Sequence, residues 1–178
     1  NIAQWAEVNP YELLFKSFGG SGYDIACAKA STPLLYRLQE GRPYSYPLQL
    51  PFPHTNHIYF VYLNQKQNSK EGIKRYRTIT KSKPKLAESI TKITEQLILS
   101  QTISDFCALL NQHEATISQY LGIPTVKERL FADFKGTIKS LGAWGGDFVL
   151  AISETEDVPA YFVSKGYPIC ISYAEMII

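Results

Sequence analysis

The sequence predicts an α+β fold, and three observations carry that prediction. Short runs of β-branched and aromatic residues, with HIYFVYL at 57–63 the clearest of them, read as buried strands. Longer stretches at 84–99 and 103–121 repeat apolar residues every three or four positions and read as amphipathic helices. From residue 51 onward the segments follow one another as strand, several helices, strand, strand, helix, strand. That order suits helices packed on one face of a mostly antiparallel sheet.

Taken in order, NPYELLFKSF sets Tyr11, Leu14, Phe15 and Phe18 at helical spacing, with Asn9 as cap and Pro10 in the first turn, so a short helix is expected to end at Gly19. The turn GGSG then feeds YDIACAKAS, whose small residues suit a second helix packed close to a neighbour. TPLLYRL and RPYSYPLQL read as two strands around the turn QEGR, and the prolines of the second belong on a sheet edge or in a linker. The proline-rich PLQLPFPHTN is the expected domain boundary, dividing the chain into 1–50 and 51–178. After the strand at 57–63, Asn68 or Ser69 can cap a helix carrying Lys70, Lys74, Arg75 and Arg77. A helix at 126–134 follows the two long ones. TIKSLGAWGGDFVLAIS then reads as strand, glycine turn, strand, EDVPAYFVSKG as a helix and YPICISY as a last strand.

Composition excludes several classes of function. A charged fraction of 19% and an apolar fraction of 45% describe a chain able to bury a core, not a disordered one. Lys and Arg number 18 against 16 Asp and Glu, too even a balance for a general nucleic-acid or membrane-surface binder. The basic run at 66–85 has only Tyr76 to stack on a base and reads as a solvated helix face. Cys27, Cys107 and Cys170 are widely spaced and odd in number, so they are expected to be reduced core thiols of an intracellular protein. His54, His57 and His113 form no zinc pattern, and His113 reads as a partly exposed polar residue of a helix that also carries Asn111 and Glu114. No run approaches the roughly 18 apolar residues of a membrane span, and no signal layout opens the chain. The expected setting is cytoplasmic, without membrane or nucleic acid as partner. The chain opens on NIAQW and has its single Met at Met176, which reads as a fragment or a processed chain.

Two glycine-rich motifs carry the candidate chemistry. In GGSGYDIA, Gly20, Ser21 and Gly22 can shape a pocket and Asp24 can serve as base or orienter for a substrate hydroxyl; equally, Asp24 is an acid at a helix start, favoured there by the macrodipole. In GAWGGDF, the glycines can let backbone pass close to a ligand, or simply turn a hairpin. GAWGGDF is not a Walker loop, since no GK[ST] follows, and not a dinucleotide fingerprint, since it leads into a strand rather than a helix.

Together, a GSGxDxA segment, a strand leading into a polar helix start, long helices and a late SLGAWGGDF between two strands resemble the second half of the GHMP kinases. That superfamily includes galactokinase, homoserine kinase, mevalonate kinase and phosphomevalonate kinase, and its bacterial branch marked by GYDIA is matched at 22–26. The resemblance covers nearly the whole chain. It implies that 1–50 is the end of a ribosomal-S5-like nucleotide-binding domain and 51–178 a ferredoxin-like GHMP kinase C-terminal domain. The activity implied is ATP-dependent phosphorylation of a hydroxyl or phosphate on a mevalonate-pathway-type small molecule. A diphosphomevalonate decarboxylase or a non-catalytic GHMP-like binding protein stand as alternatives.

By motif match, Asp24 takes the catalytic position beside the substrate hydroxyl, with Gly20, Ser21 and Gly22 in the pocket before it. Gly142, Ala143, Gly145 and Gly146 match the late family motif, while Trp144 stands where glycine is common. The family's nucleotide loop, of the form PxxxGLGSSA, does not occur in this chain. ATP and Mg2+ are therefore expected to be held mainly by an N-terminal half of the same kinase, which would be a partner of this chain. No metal site is expected within it, and a homodimer stays open.

Overall fold

The computed structural model describes residues 2–17, 19–49, 55–65, 76–79, 83–142, 144 and 146–177. The cap expected at Asn68 or Ser69, the side chains of Lys70, Lys74 and Arg75, and His54 lie outside the described residues. The chain divides into two compact units, residues 1–50 and 51–178.

The first unit holds α1 (Ile2–Trp5), α2 (Pro10–Ser17), α3 (Tyr23–Lys29) and a hairpin of β1 (Leu34–Gln39) and β2 (Arg42–Pro47). Asn9 starts α2 as expected, its Oδ1 accepting from the Tyr11 and Glu12 amides at 2.9 and 3.4 Å, two donors that have no partner inside the helix. The hairpin turns at Glu40 and Gly41, both left-handed at φ 50 and 77, a pairing that matches the twist of the strands it joins. Register runs from Gln39 opposite Arg42 to Leu34 opposite Pro47, so Pro43 and Pro47 sit on a strand with a single neighbour, where a missing N–H is tolerated. Burial is sparse. Ala3 and Ala26 are the buried apolar side chains among the described residues of this unit, whereas Trp5 is 86% exposed and Phe15 43%.

The second unit begins with a 3-10 turn at Thr55–His57 and continues through β3 (Ile58–Tyr62), α4 (Lys83–Leu97), α5 (Ile103–Leu121), α6 (Val126–Leu130), β4 (Thr137–Ser140), β5 (Phe148–Ile152), α7 (Val158–Ser164), β6 (Cys170–Ser172) and α8 (Tyr173–Met176). Among the described residues four strands lie in the order β4-β5-β3-β6, and every pairing between them is antiparallel. This is a mixed helix and strand architecture in which a βαββαβ run builds one sheet. The long helices are bounded by their own side chains. Thr102 accepts from the Asp105 amide to open α5, left-handed Gly122 closes it, and Thr125 and Glu128 form a capping box on α6. The core gathers Val61, Val149 and Ala151 of the sheet with Phe131, Phe134, Val158 and Phe162. Phe131 meets Phe162 and Tyr167 edge to face at 4.9 and 5.2 Å. No helix among the described residues is long and apolar enough to cross a membrane.

Three local expectations are corrected. The helix expected at 126–134 stops at Leu130, because Phe131 leaves the helical path at φ −140 and is wholly buried in the core. The last strand stops at Ser172, whose side chain and Glu175 form a second capping box that opens α8. The cysteines are unpaired, but they are not all core thiols: Cys27 is exposed, since α3 turns only Ala26 inward, while Cys107 and Cys170 are half-buried. Burial raises the Cys107 thiol and pushes Cys170 up to about 11, so both stay protonated at neutral pH.

Gly136, just before β4, is required by a close backbone approach. A Cβ there would stand 2.3 Å from the Ile152 carbonyl oxygen and 2.7 Å from the Phe134 ring. Gly136→Ala is therefore expected to cost roughly 1–3 kcal/mol, the scale of an overpacked core. Urea denaturation checks this, and an unchanged midpoint would show that the strand yields without strain.

Candidate functional site

The first glycine turn lies wholly in the first unit. Gly19 and Gly20 are left-handed or beyond at φ 69 and 110, and no protein atom lies within 4 Å of where a Cβ would stand on either. Gly22 differs: it is the N-cap of α3 at φ 78, and a Cβ on it would come within 2.9 Å of the Tyr11 ring and 3.3 Å of the Tyr36 hydroxyl. Close packing alone thus accounts for Gly22, whereas nothing in this unit's packing demands Gly20. Ser21 is tied into the turn, its Oγ accepting from the Tyr23 amide at 3.2 Å and its carbonyl accepting from the Tyr36 hydroxyl.

Asp24 sits in the first turn of α3 and is exposed. It is not the cap, a place that Gly22 holds without any side-chain bond, so its carboxylate is left to face solvent at the mouth of the turn. Tyr23 flanks it, edge-on to Tyr36 at 5.5 Å. Its hydroxyl is pushed up to about 12, first by a hydrogen bond with Cys27 one helical turn on, then by burial, and it stays protonated.

The second glycine turn, 141–147, joins β4 to β5 in the second unit. Of its expected site residues, Gly142 and Gly146 are described, while Ala143 and Gly145 lie outside the described residues. The two motifs therefore belong to different units. Leu141 and Phe148 close the turn with an amide-to-carbonyl bond of 3.3 Å, and the Asp147 carbonyl accepts from Leu63 at 2.7 Å. Trp144 holds a left-handed backbone at φ 57, a conformation that costs a bulky side chain about 1–2 kcal/mol. Its ring lies 6.3 Å from Tyr76, which in turn lies 5.9 Å from Tyr120 and carries the Lys83 ammonium 5.5 Å above it.

At the stem of this turn stands a group that sequence reasoning missed. Glu114, on α5, is 7% exposed. Its carboxylate accepts from the Ser140 hydroxyl at 2.9 and 3.0 Å and pairs with Lys139 Nζ at 2.9 Å. Beside it His113, expected to be partly exposed, is half-buried, and its Nδ1 is sealed from solvent without a partner. Two hollows border Glu114. One, against Trp144 and Ser140, has about 10 Å³, room for a single water at most. The other, with about 560 Å³, is of ligand size, but its charged groups are already engaged: Lys127 with the Gly136 carbonyl, Glu128 in its capping box and Glu114 as above. Among the described residues no group of three or more His, Cys, Asp or Glu could hold a metal ion.

Burial, and after it the Lys139 charge, pushes His113 down to about 4 from the ordinary 6.5, with Glu114 opposing. Between those values the unfolded chain binds a proton that the folded chain refuses, so folding stability is full above pH 6.5 and falls as pH is lowered toward 4. His113→Gln removes this contribution. Denaturation midpoints at pH 7 and pH 5 should therefore separate less in the variant than in the parent, and equal separation would show that His113 titrates normally.

No protein-family model matches the chain, and no curated protein matches it. Several solved structures do, among them the following two. A crystal structure of the L. major mevalonate kinase in complex with R-mevalonate superposes with a TM-score of 0.59 at 16% identity, over 85% of this chain and 50% of that one. A structure of a Lin0012 protein from Listeria innocua superposes with a TM-score of 0.52 at 14% identity, over 69% of this chain and 38% of that one. This chain thus spans about half the length of the mevalonate kinase it is similar to. At such identities the likeness is one of fold alone: this chain folds like part of that mevalonate kinase.

Proposed function

We propose that this chain is the second half of a GHMP-type kinase that phosphorylates a hydroxyl or phosphate of a mevalonate-pathway-type small molecule. The observation that carries the reading is the first turn, where open glycine backbone at Gly19 and Gly20 leads directly to an exposed carboxylate, Asp24. Phosphoryl transfer asks a protein mainly for positioning and charge neutralisation, and for an acid that accepts or orients the attacking hydroxyl's proton. Asp24 is offered for that last task, Gly20, Ser21 and Gly22 for the substrate pocket, and Gly142, Ala143, Gly145 and Gly146 for a second substrate-facing turn. The fold likeness to a mevalonate kinase supports the reading, as does the half-length coverage of that structure.

ATP with Mg2+ would supply the phosphoryl group. Both are assigned to an N-terminal half of the same kinase; among the described residues no group of three or more His, Cys, Asp or Glu could hold a metal ion. Trp5, Phe15, Tyr44 and Tyr46 are exposed apolar or aromatic surface on the first unit, of the kind such a half would cover. The expected setting is cytoplasmic. A second reading, a GHMP-like binding protein without catalysis, draws on Gly22, whose packing against Tyr11 explains that glycine with no ligand at all.

The test is Asp24→Asn in the full-length protein, assayed with Mg-ATP against a panel of mevalonate-type alcohols and phosphates. Loss of a placed proton acceptor should lower kcat by about 10²–10⁴ with KM far less affected. Because Asp24 does not cap α3, stability should change only by the helix-dipole contribution of roughly 0.3–1 kcal/mol. A variant that keeps more than about half of the parent's kcat would end the catalytic assignment.

A further inference from the structure

The stem of the second glycine turn carries a charge arrangement that the proposed reaction does not use. Lys139 and Ser140 are the last two residues of β4, after which the chain enters the turn. Both are held by Glu114 from α5, through the Ser140 hydroxyl and the Lys139 ammonium, and Lys139 Nζ also donates to the Ser140 carbonyl at 2.8 Å. The Lys139 and Glu114 side chains are 17% and 7% exposed. A hairpin does not need a buried ion pair, and apolar residues of similar volume often serve stability as well or better. What the pair and the hydroxyl add is direction, since a carboxylate bonded to two successive residues fixes both the height and the rotation of the strand end. Within the turn, Trp144 stands with its ring 6.3 Å from that of Tyr76, in a left-handed backbone conformation that its surroundings must hold.

We propose that Glu114 is a positioning residue for the glycine turn: by holding Ser140 and Lys139 it sets where Gly142 and Trp144 stand. Its consequence for phosphoryl transfer rests on the reading of the turn as substrate-facing, whereas the placement itself does not. The chain has two tryptophans, Trp5 and Trp144. Trp5→Phe leaves Trp144 as the only indole, and its emission then reports the turn.

In that background of the full chain, Glu114→Gln keeps shape and an acceptor for Ser140 but leaves the Lys139 ammonium unpaired. Well below the melting temperature, Trp144 should shift to the red and its acrylamide quenching constant should rise about twofold or more. Adding Lys139→Met should reverse the change, because the amide no longer faces an unpaired charge. Ser140→Ala, which leaves the ion pair intact, should raise quenching in the same direction by a smaller factor, and it decides the matter should Glu114→Gln fail to fold. Unchanged emission and quenching in the folded variants, with only a lower melting temperature, would overturn the proposal and leave Glu114 a plain stability residue. In the full-length enzyme Glu114→Gln should lower kcat/KM by about tenfold. A parent protein without transferase activity would end the proposed reaction and leave the fluorescence to decide this inference alone.

Discussion

The second unit depends on β3. Its five residues pair antiparallel with β5 on one side and β6 on the other, and Ile58 and Val61 are among the most buried side chains of the chain. A slip of one residue would turn Val61 away from its core neighbours, so burial fixes the register. Register then passes outward. Val61 opposite Val149 sets β5, and Val149 opposite Ser140 sets β4, which fixes the two strand ends from which the glycine turn departs. The Leu63 amide completes this, reaching from the end of β3 to the Asp147 carbonyl inside the turn.

The first unit is organised differently. It has little buried apolar surface of its own, and α3 turns inward only at Ala26. What holds the turn before α3 is local: Tyr36 donates to the Ser21 carbonyl, Tyr23 stands edge-on to Tyr36, and Tyr11 closes on Gly22. Three tyrosines thus fix one side of the turn, while among the described residues nothing beyond the chain neighbours comes within 4 Å of a Cβ built on Gly19 or Gly20, and Asp24 stays exposed.

Much of the architecture was legible because it follows from periodicity and turn chemistry. The helix at 103–121 announces itself by apolar spacing between Thr102 and Gly122, and QEGR marks the hairpin by its glycine. Ser172 and Glu175 were legible in principle as an S-x-x-E capping box, but the apolar run YPICISY outweighed them. Cys27 was misjudged because composition shows that a helix is small-faced without showing which face is covered. Glu114 was beyond reach for another reason. Its partners Lys139 and Ser140 lie some 26 positions away, and only the folded sheet brings them to it. Of the two candidate motifs, the residues of the first were readable as a turn with an acid, but their division into the packed Gly22 and the open Gly20 is a property of tertiary contacts.

The central claim is that the turn before α3 faces a ligand, with Asp24 at its mouth. Hydrogen–deuterium exchange of the full-length protein, with and without Mg-ATP and a mevalonate-type alcohol, reads this most directly. Exchange should slow several-fold in segment 19–29 when both ligands are present, and not when the alcohol is replaced by an unrelated sugar. Unchanged exchange across 19–29, in a protein that binds the alcohol, would contradict it.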